Sequence, residues 1–94
     1  MLKIRTICVT RADIENGLPR TPGLCPLAIA VRRIVNPRAI VMVSRLAVTV
    51  TVPGNRQWYV AAHDKDTHQF INDVDDGLCV QPIALTLKFA EIYR

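Results

Sequence analysis

Five arginines, Arg32, Arg33, Arg38, Arg45 and Arg56, crowd the middle of the chain. A guanidinium is a planar fork of donors that grips phosphate or carboxylate at two points. Several on one face would hold nucleic acid or an acidic protein, with phosphate contacts giving affinity rather than sequence choice. Trp58 and Tyr59 follow closely and would add base stacking. The competing reading is a solvated basic surface whose arginines pair with the chain's own carboxylates, and no nucleic-acid motif accompanies the set.

Asp73, Asp75 and Asp76 form the second candidate. They fall at the end of an expected helix, where the helix dipole disfavours an anion by about 0.3–1 kcal/mol each. An acidic docking patch or a weak divalent-cation site would account for that cost. A nearby arginine of the same chain would offset it equally well. Asp73 and Asp76 are one turn apart, but no calcium-loop pattern surrounds them.

His63 and His68 stand five apart, whereas paired metal ligands on a helix favour a spacing of three or four. No metal site is expected. Cys8, Cys25 and Cys79 are scattered without a C-x-x-C pair, so neither a zinc framework nor a disulfide set is indicated, and three small buried apolar groups are expected. Cys25 precedes Pro26 at a helix start. It would be a lowered-pKa thiol if exposed, and a dyad with His63 or His68 would make a thiol-dependent enzyme. No phosphate loop, nucleophile elbow or H-E-x-x-H is present. No catalytic residue and no cofactor is expected.

Charge is split along the chain. Residues 1–62 hold nine basic side chains against Asp13 and Glu15, and residues 63–94 hold three against six acids, so net +7 is followed by −3 to sum to +4. Such a split steers an acidic partner to one face or draws the two halves of one domain together. The 94 residues fit a single domain, 1–94, and with half of them apolar disorder is not expected. Arg32, Arg33, Arg38 and Arg45 interrupt every long apolar run, so no membrane span is expected. Met1-Leu2-Lys3-Ile4-Arg5 alternates charge with apolar residues, unlike a signal peptide, and a cytoplasmic location follows as the expectation.

The elements that must position these residues are legible from periodicity. Leu2 to Val9 reads as a strand, with Leu2, Ile4, Thr6 and Cys8 on one face. Thr10 caps a short turn ending at Gly17. Leu18 to Leu24 is a loop broken by Pro19 and Pro22. Pro26 opens a helix whose stripe is Leu27, Ala28, Val31, Ile34 and Val35, and Asn36-Pro37 closes it. Ile40 to Val52 reads as one long strand, with Ile40, Met42, Leu46, Val48, Val50 and Val52 together and Ser44 a break. Pro53-Gly54 turns the chain, directly or in a loop reaching Asn55, into a partner strand with Trp58 and Val60 inward. Asp64 or Asp66 caps the next helix, with Thr67, Phe70, Ile71, Val74 and Leu78 in stripe and Gly77 at its end. Cys79 to Phe89 is the last strand, with Ile83, Leu85, Leu87 and Phe89 on one face.

The order is β-α-β-β-α-β. It predicts an α+β fold in which two helices cover one face of a four-stranded, mostly antiparallel sheet, with a ferredoxin-like arrangement among the compatible orders. Ile40–Val52 is apolar on both sides, since Val41 and Val43 oppose Met42. At a sheet edge it would offer pairing to a second copy, so a homodimer is compatible.

Three stretches occur together: Asp13-Ile14-x-x-Gly17, then Cys25-Pro26-Leu27-Ala28-Ile29-Ala30, then Phe70-Ile71-x-x-Val74-Asp75-x-Gly77-x-x-Val80-x-Pro82. In that order the chain resembles small uncharacterised bacteriophage and prophage proteins. The resemblance implies no activity and no catalytic residue. It implies a phage or mobile-element accessory protein that binds a host protein or protein–nucleic acid assembly, an inhibitor of a host defence complex being one concrete version. A small basic nucleic-acid-binding protein is the alternative, and a thiol-dependent enzyme centred on Cys25 the third reading.

Overall fold

Capping chemistry sets the helix boundaries. The computed structural model describes residues 3–54 and 57–93. Among them the order is β1 (Ile4–Val9), α1 (Arg11–Asn16), α2 (Pro26–Val35), β2 (Ile40–Val43), β3 (Ala47–Thr51), β4 (Gln57–Ala62), α3 (Lys65–Asp75), β5 (Ile83–Lys88) and β6 (Ala90–Tyr93). Thr10 and Asp13 form a reciprocal capping box on α1. Pro26 occupies the first turn of α2. The Asp64 carboxylate accepts from Thr67 N–H at 2.8 Å and caps α3. At the far end Gly77 has φ +76°, with its N–H donating to Val74 and Leu78 N–H donating to Asp73, which is a Schellman closure.

The strands form an antiparallel sheet ordered β2-β3-β4-β6 and a separate antiparallel pair, β1-β5. The α+β class and the four-stranded antiparallel sheet agree with the sequence reading. A ferredoxin-like order would place the first strand inside the main sheet; here it stands in the two-stranded ladder. Phe89 joins the two sheets: its side chain is buried and its N–H donates to Lys3, after which the chain crosses to β4 as β6. The expected single strand Cys79–Phe89 is thus shorter and followed by another.

One core runs through the fold, built from Ile7 and Val9 of β1, Leu27, Ala28, Ala30 and Val31 of α2, the valines of β2 and β3, Phe70, Ile71 and Val74 of α3, and Leu85 and Leu87 of β5. Several strand phases differ from expectation. In β1 the inward residues are Ile7 and Val9, leaving Ile4, Thr6 and Cys8 outside. Ile40–Val52 is two strands, because Ser44 is a turn residue: its hydroxyl accepts from the N–H groups of Leu46 and Ala47, at 3.2 and 3.1 Å. That turn shifts the phase, so Val41, Val43, Val48 and Val50 point inward and Ile40, Met42 and Leu46 outward. In β4 the inward residues are Tyr59 and Ala61 rather than Trp58 and Val60. Leu78, past the end of α3, is exposed. The Pro53-Gly54 turn has Gly54 at φ +80°, and Asn55 lies outside the described residues.

Candidate functional site

Among the described residues, four arginines bond within the fold, with donors aimed at fixed acceptors. Arg33 pairs with Asp13 at 2.7 Å and also donates to the Cys8 carbonyl at 2.8 Å. Asp13 is buried, and burial pushes its carboxyl up. The bonds from Arg33, from Thr10 N–H and from the Thr10 hydroxyl outweigh this, so it sits below the usual carboxylate range. Arg32 donates to the Gly23 carbonyl at 2.6 Å, Arg5 to Ile34, and Arg11 to Gln81 and Val80. Arg32 and Arg33 are therefore cross-links between α2 and its surroundings. The carboxylate that Arg33 meets is Asp13, not the acidic end of α3.

Arg38 and Arg45 are exposed, and their side chains make no hydrogen bond or ion pair among the described residues. Arg56 lies outside the described residues. Arg38 precedes β2 and Arg45 sits in the β2–β3 turn, so the described arginines of the set come from three separate parts of the fold.

The structure instead joins part of the basic set to part of the acidic one. A cleft of about 350 Å³ is lined by Arg20, Thr21, Pro22, Cys25, Val43, Ser44, Arg45, Ile71, Asp75 and Asp76. Its walls come from the loop before α2, the β2–β3 turn and the last turn of α3. Two guanidinium-bearing residues, Arg20 and Arg45, and two carboxylate-bearing ones, Asp75 and Asp76, line it together. Asp73 lies apart, accepting from Gln69 at 2.9 Å and lining a second cleft. No basic residue stands in the last turn of α3, so the dipole cost of these carboxylates is not met on the helix itself.

Arg20 was not singled out by the sequence. Its backbone has φ +58°, a left-handed conformation that a residue with a Cβ adopts at a cost of about 1–2 kcal/mol. The Asp75 carboxylate accepts from Arg20 N–H at 2.9 Å and holds the loop there. A strained residue fixed by a carboxylate at a cleft wall is the kind of feature that collects at binding sites. The opposite wall is fixed by His63: its Nε2–H donates to the Ser44 carbonyl at 2.7 Å, and its own N–H donates to Leu46 at 2.8 Å. His63 is thus a brace for the turn that carries Arg45. His68 is exposed on α3, and no group of three or more His, Cys, Asp or Glu able to hold a metal occurs among the described residues.

Cys25 forms the floor. It is buried, and burial pushes its thiol up; the N–H groups of Ala28 and Leu27 offset only part of that. This environment protects a thiol and disfavours a thiolate nucleophile. Cys8 and Cys79 are exposed, contrary to the expectation that all three cysteines are buried. No helix among the described residues is long and apolar enough to cross a membrane. No protein-family model, curated protein or solved structure matches the chain.

Proposed function

We propose that this chain is a non-catalytic accessory protein of a phage or mobile element that binds a host macromolecule, and that the cleft between Arg20, Arg45, Asp75 and Asp76 is its contact site. The observation that carries this reading is the convergence of exposed arginines and helix-end carboxylates on one concave surface. Side chains of both signs suit a protein surface that presents both signs in return, and such complementarity selects partners and speeds encounter. The same carboxylates repel a phosphate backbone, which weighs against the nucleic-acid alternative. The buried Cys25 weighs against the thiol-enzyme reading. The phage context comes from the three resembling stretches, and inhibition of a host defence complex is its concrete form.

The test is capture from host lysate, with and without nuclease, by the unaltered protein and by Arg45→Glu and Asp76→Lys variants. Both side chains are exposed and unbonded among the described residues, so folding is expected to be retained. A nuclease-resistant partner lost in both variants supports the proposal. Capture that disappears with nuclease, or that neither substitution alters, overturns it.

A further inference from the structure

The main sheet has a second face that stays exposed or half-exposed among the described residues. The strand register places Ile40 and Met42 of β2, Ala47, Thr49 and Thr51 of β3, Trp58, Val60 and Ala62 of β4, and Ala90 and Ile92 of β6 on one side. None of these ten is buried, and Ile40, Met42 and Ile92 are 59, 46 and 47% exposed. A solvated face of an antiparallel sheet ordinarily alternates polar residues against the buried side. Here the outward positions are apolar except for two threonines, and none is ionisable, in a chain with twenty Lys, Arg, Asp and Glu side chains. A broad exposed apolar face marks an interaction surface.

We infer that this face docks against the same face of a second copy of the chain, sheet upon sheet. Two properties point to self-association. First, the chain carries net +4, so two copies approach most favourably through a region without charge, and an uncharged patch is complementary to itself. Nucleic acid would require cations here, and an acidic partner would as well. Second, the face tapers along the strands. One end is the row Ile40, Thr51, Trp58 and Ile92; the middle is Met42, Thr49, Val60 and Ala90; the other end is Ala47 and Ala62. A two-fold axis lying across the strands at the middle row sets the bulky end of one copy over the alanine end of the other. Facing sheets pack with strand directions nearly aligned at about 10 Å, so the taper fills that gap evenly. The patch is smaller than the roughly 20–30 residues per side of a standard interface, so a weak, concentration-dependent dimer is expected. Val43, which lines the cleft, points to the opposite side of the sheet, so both clefts stay open in the dimer. The inference is therefore independent of the proposed function.

The test is sedimentation equilibrium of the purified chain from about 1 μM to about 1 mM. A monomer–dimer equilibrium is expected, weakened at least tenfold by Ala62→Arg and by Met42→Lys, because each substitution enters a two-fold interface twice. Both positions are exposed, and thermal melting at low concentration identifies a variant that has lost its fold; the other then carries the test. A monomer throughout the range, or a dimer unaffected by a folded variant, overturns the inference. So does binding of an apolar host protein to this face by a chain that stays monomeric.

Discussion

Gly17 lies so close to Pro26 that a Cβ built on the glycine would fall 2.5 Å from the proline Cδ and 2.6 Å from its nitrogen. Gly17 has φ −79°, so close approach, and not a left-handed backbone, demands glycine there. The contact fastens the end of α1 to the start of α2, and with them the first two of the three resembling stretches. Gly17→Ala is expected to destabilise by about 1–3 kcal/mol, the usual cost of overpacking. Pro26→Ala removes the ring but leaves the crowded nitrogen, so it should restore only part of the loss. Thermal melts of the two single variants and the double variant measure both effects; an unchanged melt for Gly17→Ala would show that the helices are not pinned here.

Arg33 and Asp13 give a stability test with a pH signature. Arg33→Ala strands a buried carboxylate with only its capping bonds, and a cost of about 2 kcal/mol at neutral pH follows. Asp13 is held below its usual value in the folded chain. Its contribution is therefore complete above the unfolded-chain value of roughly 3.9 and is lost as pH falls through the lower folded one. Chemical denaturation as a function of pH should show the intact protein losing more stability below about pH 4 than the variant does. Parallel curves would remove the pair from the account.

Phe70 anchors α3 in the core at 5% exposure. Phe70→Ala should cost about 3–5 kcal/mol, close to the whole stability of a small domain. Near-intact thermal stability of that variant would contradict the packing of α3.

Arg20→Gly separates stability from binding. Glycine adopts φ +58° without the steric cost, while losing more chain entropy on folding, so stability should hold or rise by up to about 1 kcal/mol. The cleft loses a guanidinium at the same time. Partner capture should fall while the melting temperature does not. Undiminished capture would place the contact elsewhere.

The cysteines should divide by exposure. A thiol reagent at neutral pH should modify Cys8 and Cys79 promptly and Cys25 only after denaturation, since burial both shields that thiol and disfavours its thiolate. Mass spectrometry of the native and unfolded protein counts the adducts. Rapid native labelling at Cys25 would reopen the enzyme reading.

What the sequence by itself determined is mostly what neighbouring residues decide among themselves. Pro26 and Asn36-Pro37 bound α2, and Asp64, one of the two N-cap candidates with Asp66, and Gly77 bound α3, because caps and closures use groups within a turn of one another. The α3 stripe of Thr67, Phe70, Ile71 and Val74 followed for the same reason. The strands were less legible. Trp58-Tyr59-Val60 and Ile40-Val41-Met42-Val43 are apolar on both sides, so period-two alternation carries no phase; the apolar outer face of the sheet is the cause. Ser44 marked a turn in a run otherwise strongly β-forming, and its hydroxyl's bonds to Leu46 and Ala47 decide the matter only once both strands are in place. The charges were the least legible. The charge split left open whether basic and acidic side chains meet within the domain; in the fold Arg33 pairs with Asp13, and Arg45 lines one cleft with Asp75 and Asp76. Those partners lie far apart along the chain. Only the packing of α2 on β1 and β2, and the burial of α3 in the same core, brings them within reach of each other.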